Sequence, residues 1–125
     1  MKKQFRVKKT TEFQRVFHQG HSVANKQFVV YHYPKEAQQH IRVGLSVGKK
    51  LGNAVVRNRI KRQLRHALME LNSILIPSND IVVIARYPVV TMTYQEIISS
   101  LTHVLKLAHI TTTESRDVRV QEENS

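Results

Sequence analysis

Between Lys49 and His66 the chain reads KKLGNAVVRNRIKRQLRH, in which seven of 18 residues are Lys or Arg and none is acidic. Guanidinium and ammonium groups at this density are suited to binding phosphate, Arg as a planar fork and Lys as a point charge. No Asp or Glu occurs anywhere between Glu36 and Glu70. Asn53, after Gly52, is placed to cap a helix, and Val56, Ile60, Leu64, Ala67, Leu68 and Leu71 give that helix a buried stripe to about Leu71. On it Arg57, Lys61 and Arg65 recur at i, i+4, i+8 as a row along one flank. Arg62 and Asn58 lie further round, and Arg59 and His66 lie near the opposite flank. Solvated helices usually mix signs so that i,i+4 neighbours attract, whereas these like charges repel. Arg57 and Arg59 also stand near the helix N-terminus, where the macrodipole disfavours cations. A bound phosphate reverses that penalty. A merely solubilising basic face is the alternative, and the length of the acid-free run argues against it.

Other chemistries find less support. Gly48-Lys49-Lys50 invites a phosphate-loop reading, but no Gly lies five residues before Gly48, and Lys50 stands where Ser or Thr belongs. The seven histidines (18, 21, 32, 40, 66, 103 and 109) have no metal-ligand spacing, and the five acids outside the C-terminal tail are scattered. No nucleophile motif is present, so no catalytic residue and no protein-bound metal or cofactor is expected. Phe13 and Phe17 fit a core role by type. Tyr31 is ambiguous, because Tyr keeps one polar end. On an open strand face such rings could instead stack on unpaired bases.

These residues need a scaffold, and the chain is long enough for one domain, with 125 residues of which 41% are apolar. The net charge is +11 with neutral His, which points to a polyanion partner, nucleic acid or an anionic membrane surface. The absence of cysteine excludes disulfides and thiolate metal sites and fits a cytoplasmic location. No apolar run is long enough to span a membrane, and the basic MKKQFRVKK start lacks the apolar stretch of a signal peptide. Charge changes sign along the chain: 18 bases face 5 acids up to residue 113, and 2 bases face 4 acids (Glu114, Asp117, Glu122, Glu123) after it. The expectation is one folded unit over residues 1–109 and a disordered acidic tail over 110–125.

The elements follow from local pattern. Thr10 or Thr11 caps a first helix with Phe13, Val16 and Phe17 on one stripe and Gly20 as its stop. Residues 22–24 form a short strand. Residues 27–33 (QFVVYHY) form a strand with Phe28, Val30 and His32 on one face and Val29, Tyr31 and Tyr33 on the other. Pro34 to His40 reads as a hairpin loop, and 42–48 alternates as the next strand, with Val43, Leu45 and Val47 on one side. After the basic helix, 81–85 (IVVIA) is a strand covered on both faces, and Thr93 with Glu96 makes a capping box for a last helix that turns Ile97, Ile98, Leu101, Val104, Leu105 and Ala108 inward. The predicted class is α+β, a single-domain two-layer α-β sandwich in the order α-β-β-β-α-β-α. In it a β-α-β crossover carries the basic helix between parallel strands.

The run VGLSVGKKLGNAVVRNRIKRQLR, residues 43–65, resembles the signature of the bacterial ribonuclease P protein family. The likeness extends to EFQRVFHQG, SVANKQFVVYHY and IVVIARYP, so that it covers about residues 5–108. It implies a protein subunit that binds the catalytic RNA of ribonuclease P and the 5′ leader of precursor tRNA. The RNA, with Mg2+ required by the holoenzyme, would carry out the hydrolysis that frees the tRNA 5′ end. It also implies that the β-α-β crossover is left-handed, against the usual rule. By position it assigns Lys49, Lys50, Asn53, Arg57, Asn58, Arg59, Lys61, Arg62 and Arg65 to the catalytic RNA. Phe13, Phe17 and Tyr31 fall to the leader, in a cleft between the first helix and the sheet. No membrane and no small-molecule substrate is implied. The acidic tail departs from the family, whose tails are often basic. A ribosomal or other basic RNA-binding protein is the alternative. A DNA reader using the 53–71 helix is disfavoured, because its polar residues are mostly phosphate binders and few are amide readers.

Overall fold

In a computed structural model of the chain, the residues described are 6–7, 10–36 and 38–112. They form α1 (Thr10–Gln19), β1 (His21–Ala24), β2 (Phe28–Pro34), β3 (Arg42–Ser46), α2 (Ala54–Glu70), β4 (Asn79–Ala85) and α3 (Tyr94–Leu107), the expected α+β order. The sheet order is β1-β2-β4-β3, antiparallel except for the parallel pair β3–β4. Helix α2 is therefore the crossover between neighbouring parallel strands.

The expected hairpin between β2 and β3 does not form, because β4 lies between them, with Tyr31 opposite Val82 on one side and Gly44 opposite Val82 on the other. The reason is burial. Ile81, Val82 and Val83 are fully buried, and a strand apolar on both faces is best covered in the sheet interior. The more polar β3 takes the edge, where Val7 of the N-terminal arm donates its N–H to the Val43 carbonyl at 3.0 Å.

Alternation divides the core. Phe28 and Val30, Val43, and Ile81, Val83 and Ala85 face α2 and α3, packing on Ile60, Leu64, Ala67 and Leu68 and on Ile97, Leu101, Val104 and Leu105. Each such Leu or Ile contributes about 1.5–3 kcal/mol by leaving water. The opposite face carries α1, whose Val16 is buried and whose Phe13 lies over Gly44. A Cβ on Gly44 would come within 2.6 Å of the Phe13 ring, so glycine is what lets the helix sit this close.

Local signals set the helix ends. The Asn53 side chain accepts from Val56 N–H at 3.0 Å, and both hydrogen bonds of the Thr93/Glu96 capping box are present. Gly52, at φ 145°, makes the turn into α2 in a conformation that other residues rarely adopt. Packing continues past the expected boundary at residue 109. Ile110 and Thr111 are buried, and Ile76 N–H donates to the Ile110 carbonyl at 2.9 Å. The rest of the expected tail, 113–125, lies outside the described residues.

Candidate nucleic-acid interface

The basic residues gather around α2 and the turn that precedes it. Leu51, buried in the core, anchors a 3₁₀ turn (Lys49–Leu51) that leaves Lys49 and Lys50 in solvent. Asn58, Arg59 and Arg62 are exposed, and Arg57, Lys61 and Arg65 are half-buried. Winding at 100° per residue separates them as expected. Arg57 reaches back to the Gly52 carbonyl (Nε to O, 3.2 Å), whereas Arg59 reaches across to the Val90 carbonyl (Nη2 to O, 3.1 Å). Arg57 and Arg59 thus serve two flanks rather than one contact patch. Asn53 is already committed as the helix cap, which leaves its amide N–H group for any further partner.

Lys61 and Arg65 turn toward the edge strand. With Arg6, Val7, Phe13, Val43, Gly44 and Leu45 they line a cavity of about 160 Å3, so the basic row and the first helix meet across β3. Further along α2 a cavity of about 560 Å3 is lined by Arg6, Arg62, Arg65, His66, Met69 and Glu70. Arg6 was not singled out by sequence, because the arm's position beside α2 follows from its pairing with β3. His66 pairs with Glu70 at 3.4 Å and stands edge-on to Tyr94. Burial, then the Glu70 carboxylate, pushes the Tyr94 hydroxyl up to about 12.

The aromatic candidates lie on the other face of the sheet. The Phe17 and Tyr31 rings are in edge-to-face contact with centroids 4.9 Å apart, Phe17 is exposed, and Tyr31 is half-buried. Phe13 is half-buried and held against Gly44. A fork of charge fixes α1 here. Arg42 donates to both oxygens of Asp80, from Nε at 2.9 Å and from Nη2 at 2.6 Å, and its Nη2 lies 2.7 Å from Glu12 Oε2 of α1. The hydrogen bonds to Asp80, above all, hold the Arg42 guanidinium charged, against its partial burial. These three residues position the aromatic site, and sequence spacing gave no hint of them.

With this geometry in place, comparison with known proteins is decisive. The family model for ribonuclease P matches residues 1–109. The chain belongs to the ribonuclease P protein family. A ribonuclease P protein component from Bacillus mycoides is 57% identical over 106 residues, covering 85% of this chain and 92% of the relative. The ribonuclease P protein of Staphylococcus aureus superposes with a TM-score of 0.78 at 50% identity, covering 85% of this chain and 96% of that one. That of Thermotoga maritima superposes with a TM-score of 0.75 at 28% identity, covering 81% and 94%. The ribosomal-protein alternative is set aside by these matches.

Proposed function

We propose that this chain, as the protein subunit of ribonuclease P, binds two RNAs with its two faces. The basic surface of Lys49, Lys50, Asn53, Arg57, Asn58, Arg59, Lys61, Arg62 and Arg65 joins the catalytic RNA. The cleft of Phe17 and Tyr31, bordered by Phe13, takes the single-stranded 5′ leader of precursor tRNA. The observation that carries the reading is the separation itself. The density of cations lies on α2 and its leading turn, while the aromatic pair of exposed Phe17 and half-buried Tyr31 lies on the α1 side of the sheet.

Each face suits its partner physically. Cations that replace counterions on a phosphate backbone bind folded RNA with little regard to sequence, and they reduce the Mg2+ needed to hold two RNAs together. Rings that offer a face to unpaired bases bind a leader of any sequence, at roughly 1–3 kcal/mol per stacked base. A precursor then binds more tightly than the mature tRNA by the leader's share, and the scissile bond is held in the enzyme at low substrate concentration. Among the described residues no three His, Asp or Glu side chains stand together to hold a metal ion. In this reading, which follows the family resemblance, the Mg2+ and the hydrolytic chemistry belong to the RNA, and the protein binds and positions.

The test is reconstitution. The protein mixed with its cognate catalytic RNA at low Mg2+ is expected to stimulate cleavage of precursor tRNA over RNA alone. Absence of stimulation across a Mg2+ titration would refute the reading.

A further inference from the structure

Arg6 and Val7 lie along the outer edge of β3. Arg6 pairs in parallel with Val43, and Val7 N–H donates to the Val43 carbonyl at 3.0 Å. Residues paired across a sheet share a face, and successive residues alternate, so this two-residue strand divides its side chains between the two layers. Val43 faces the α2 and α3 core, and Arg6 follows it, lining the cavity beside α2 with Arg62 and Arg65. Val7 takes the other side, with Gly44. A Cβ added at Gly44 would come within 2.6 Å of the Phe13 ring and 3.4 Å of the Val7 Cβ. Both residues of the strand also line the small cavity where Lys61 and Arg65 of α2 meet Phe13 of α1.

A strand that covers an exposed sheet edge needs no further role. Two observations give this one more. First, Arg6 adds a cation to a group that already holds Arg62 and Arg65, with Lys61 close by. Glu70 is the acid in the same cavity, and it is paired with His66 at 3.4 Å. Cations gathered in this way favour a phosphate between them. Second, Gly44 gives the Phe13 ring no side chain to rest against, and Val7, buried beside the same glycine, bounds the ring instead. A ring confined before its partner arrives loses less entropy when a base stacks on it.

We propose that Arg6 and Val7 form a strand shared by the two RNA faces: Arg6 is a further contact to the catalytic RNA, and Val7 is a positioning residue that holds Phe13 in the leader cleft. The inference rests on the two-face reading above and adds the element that the two faces have in common. The main-chain pairing with Val43 sets both side chains at once, so its loss reaches both RNAs, whereas the loss of either side chain reaches one.

The experiment measures two quantities on the reconstituted holoenzyme: assembly with the catalytic RNA as a function of salt, and the preference for precursor over mature tRNA. Val7→Ala is expected to lower the preference by about threefold, a fraction of one stacked base, and to leave assembly and its salt slope unchanged. Val7→Ile is expected to keep the preference. Arg6→Gln is expected to weaken assembly by about fivefold, to flatten the salt slope by roughly 0.7–0.9, and to leave the preference unchanged. Val7→Pro removes the N–H that bonds Val43 and is expected to lower both quantities. Val7 packs outside the main core cluster, so the Ala variant should remain folded, as thermal unfolding would show. Equal losses of assembly and preference in Val7→Ala overturn the proposal, and so does an unchanged salt slope in Arg6→Gln. Tyr31→Ala is read beside them. A preference that ignores Tyr31→Ala refutes the cleft reading and the role of Val7 with it. A preference that responds to Tyr31→Ala and ignores Val7→Ala refutes the shared strand alone.

Discussion

The α2 face and the α1 cleft solve the same problem, holding RNA, by different physics. On α2 and its leading turn the binding groups are long cations that take part in none of the ion pairs seen among the described residues, so their energy comes from the partner's charge and falls with salt. In the cleft the groups are rings contributed by α1 and β2, brought together by Gly44 and by the Glu12–Arg42–Asp80 fork. There the energy comes from stacking and depends on geometry more than on ionic strength. A face built on one helix survives damage elsewhere in the fold. A face built across elements is only as good as its tertiary contacts.

The largest effect should come from breaking that tertiary support. Asp80 is 3% exposed as a side chain, and Asp80→Ala would leave the Arg42 guanidinium in a partly buried site with only Glu12 opposite. Breaking a buried pair by removing one partner costs about 3–5 kcal/mol, so chemical denaturation should show a loss on that scale. The comparison predicts an asymmetry beyond stability: under conditions where the variant stays folded, leader affinity should fall while affinity for the catalytic RNA is retained. Equal losses would mean that the two faces are not independent.

On the α2 side the matching disruption is Arg57→Ala with Arg59→Ala. Each lost charge-assisted contact is worth about 1–2 kcal/mol at low salt, so assembly with the catalytic RNA should weaken on the order of a hundredfold. The slope of log affinity against log salt should flatten by roughly 1.5–2. Because Arg57 and Arg59 reach opposite flanks of α2, to Gly52 and Val90, the single variants should be close to additive. Tyr31→Ala is the smaller counterpart in the cleft. It should cost about 1–3 kcal/mol in precursor binding, change the salt slope little, and spare mature tRNA.

The two faces also differ in how far the sequence reveals them. Everything on α2 is local: the Asn53 cap, the stripe of Ile60, Leu64, Ala67 and Leu68, and the row of Arg57, Lys61 and Arg65 all follow from spacing along one helix. The capping box of α3 was legible for the same reason. The cleft depends on distant pairings. Spacing puts Phe13 and Phe17 on one stripe, but only the fold places Gly44 beneath Phe13 and Tyr31 beside Phe17. Strand order failed at the same level: the segment 34–40 looks like a hairpin loop, and only the burial demand of β4, expressed across the whole sheet, separates β2 from β3. The family resemblance supplied the cleft assignment that spacing could not, and it was silent on the Glu12–Arg42–Asp80 fork that holds the cleft together.

The smallest expected effect concerns pH and lies at the back of the cleft strand. His32 neighbours Tyr31 on β2 but faces the other side of the sheet, opposite His21 on β1 with ring centroids 5.8 Å apart. Burial, then the nearby His21 and His109, lower its pKa below the ordinary 6.5. The folded state therefore binds a proton at His32 less readily than the unfolded chain does. It follows that the stability linked to His32 is fully present above about pH 6.5, declines as pH falls below that value, and levels off once the folded state also takes up the proton. Denaturation midpoints measured between about pH 7.5 and pH 5 should fall with acid in the parent protein. In His32→Gln, which cannot titrate, the fall should be shallower. An undiminished fall in His32→Gln would show that the acid sensitivity belongs to other groups.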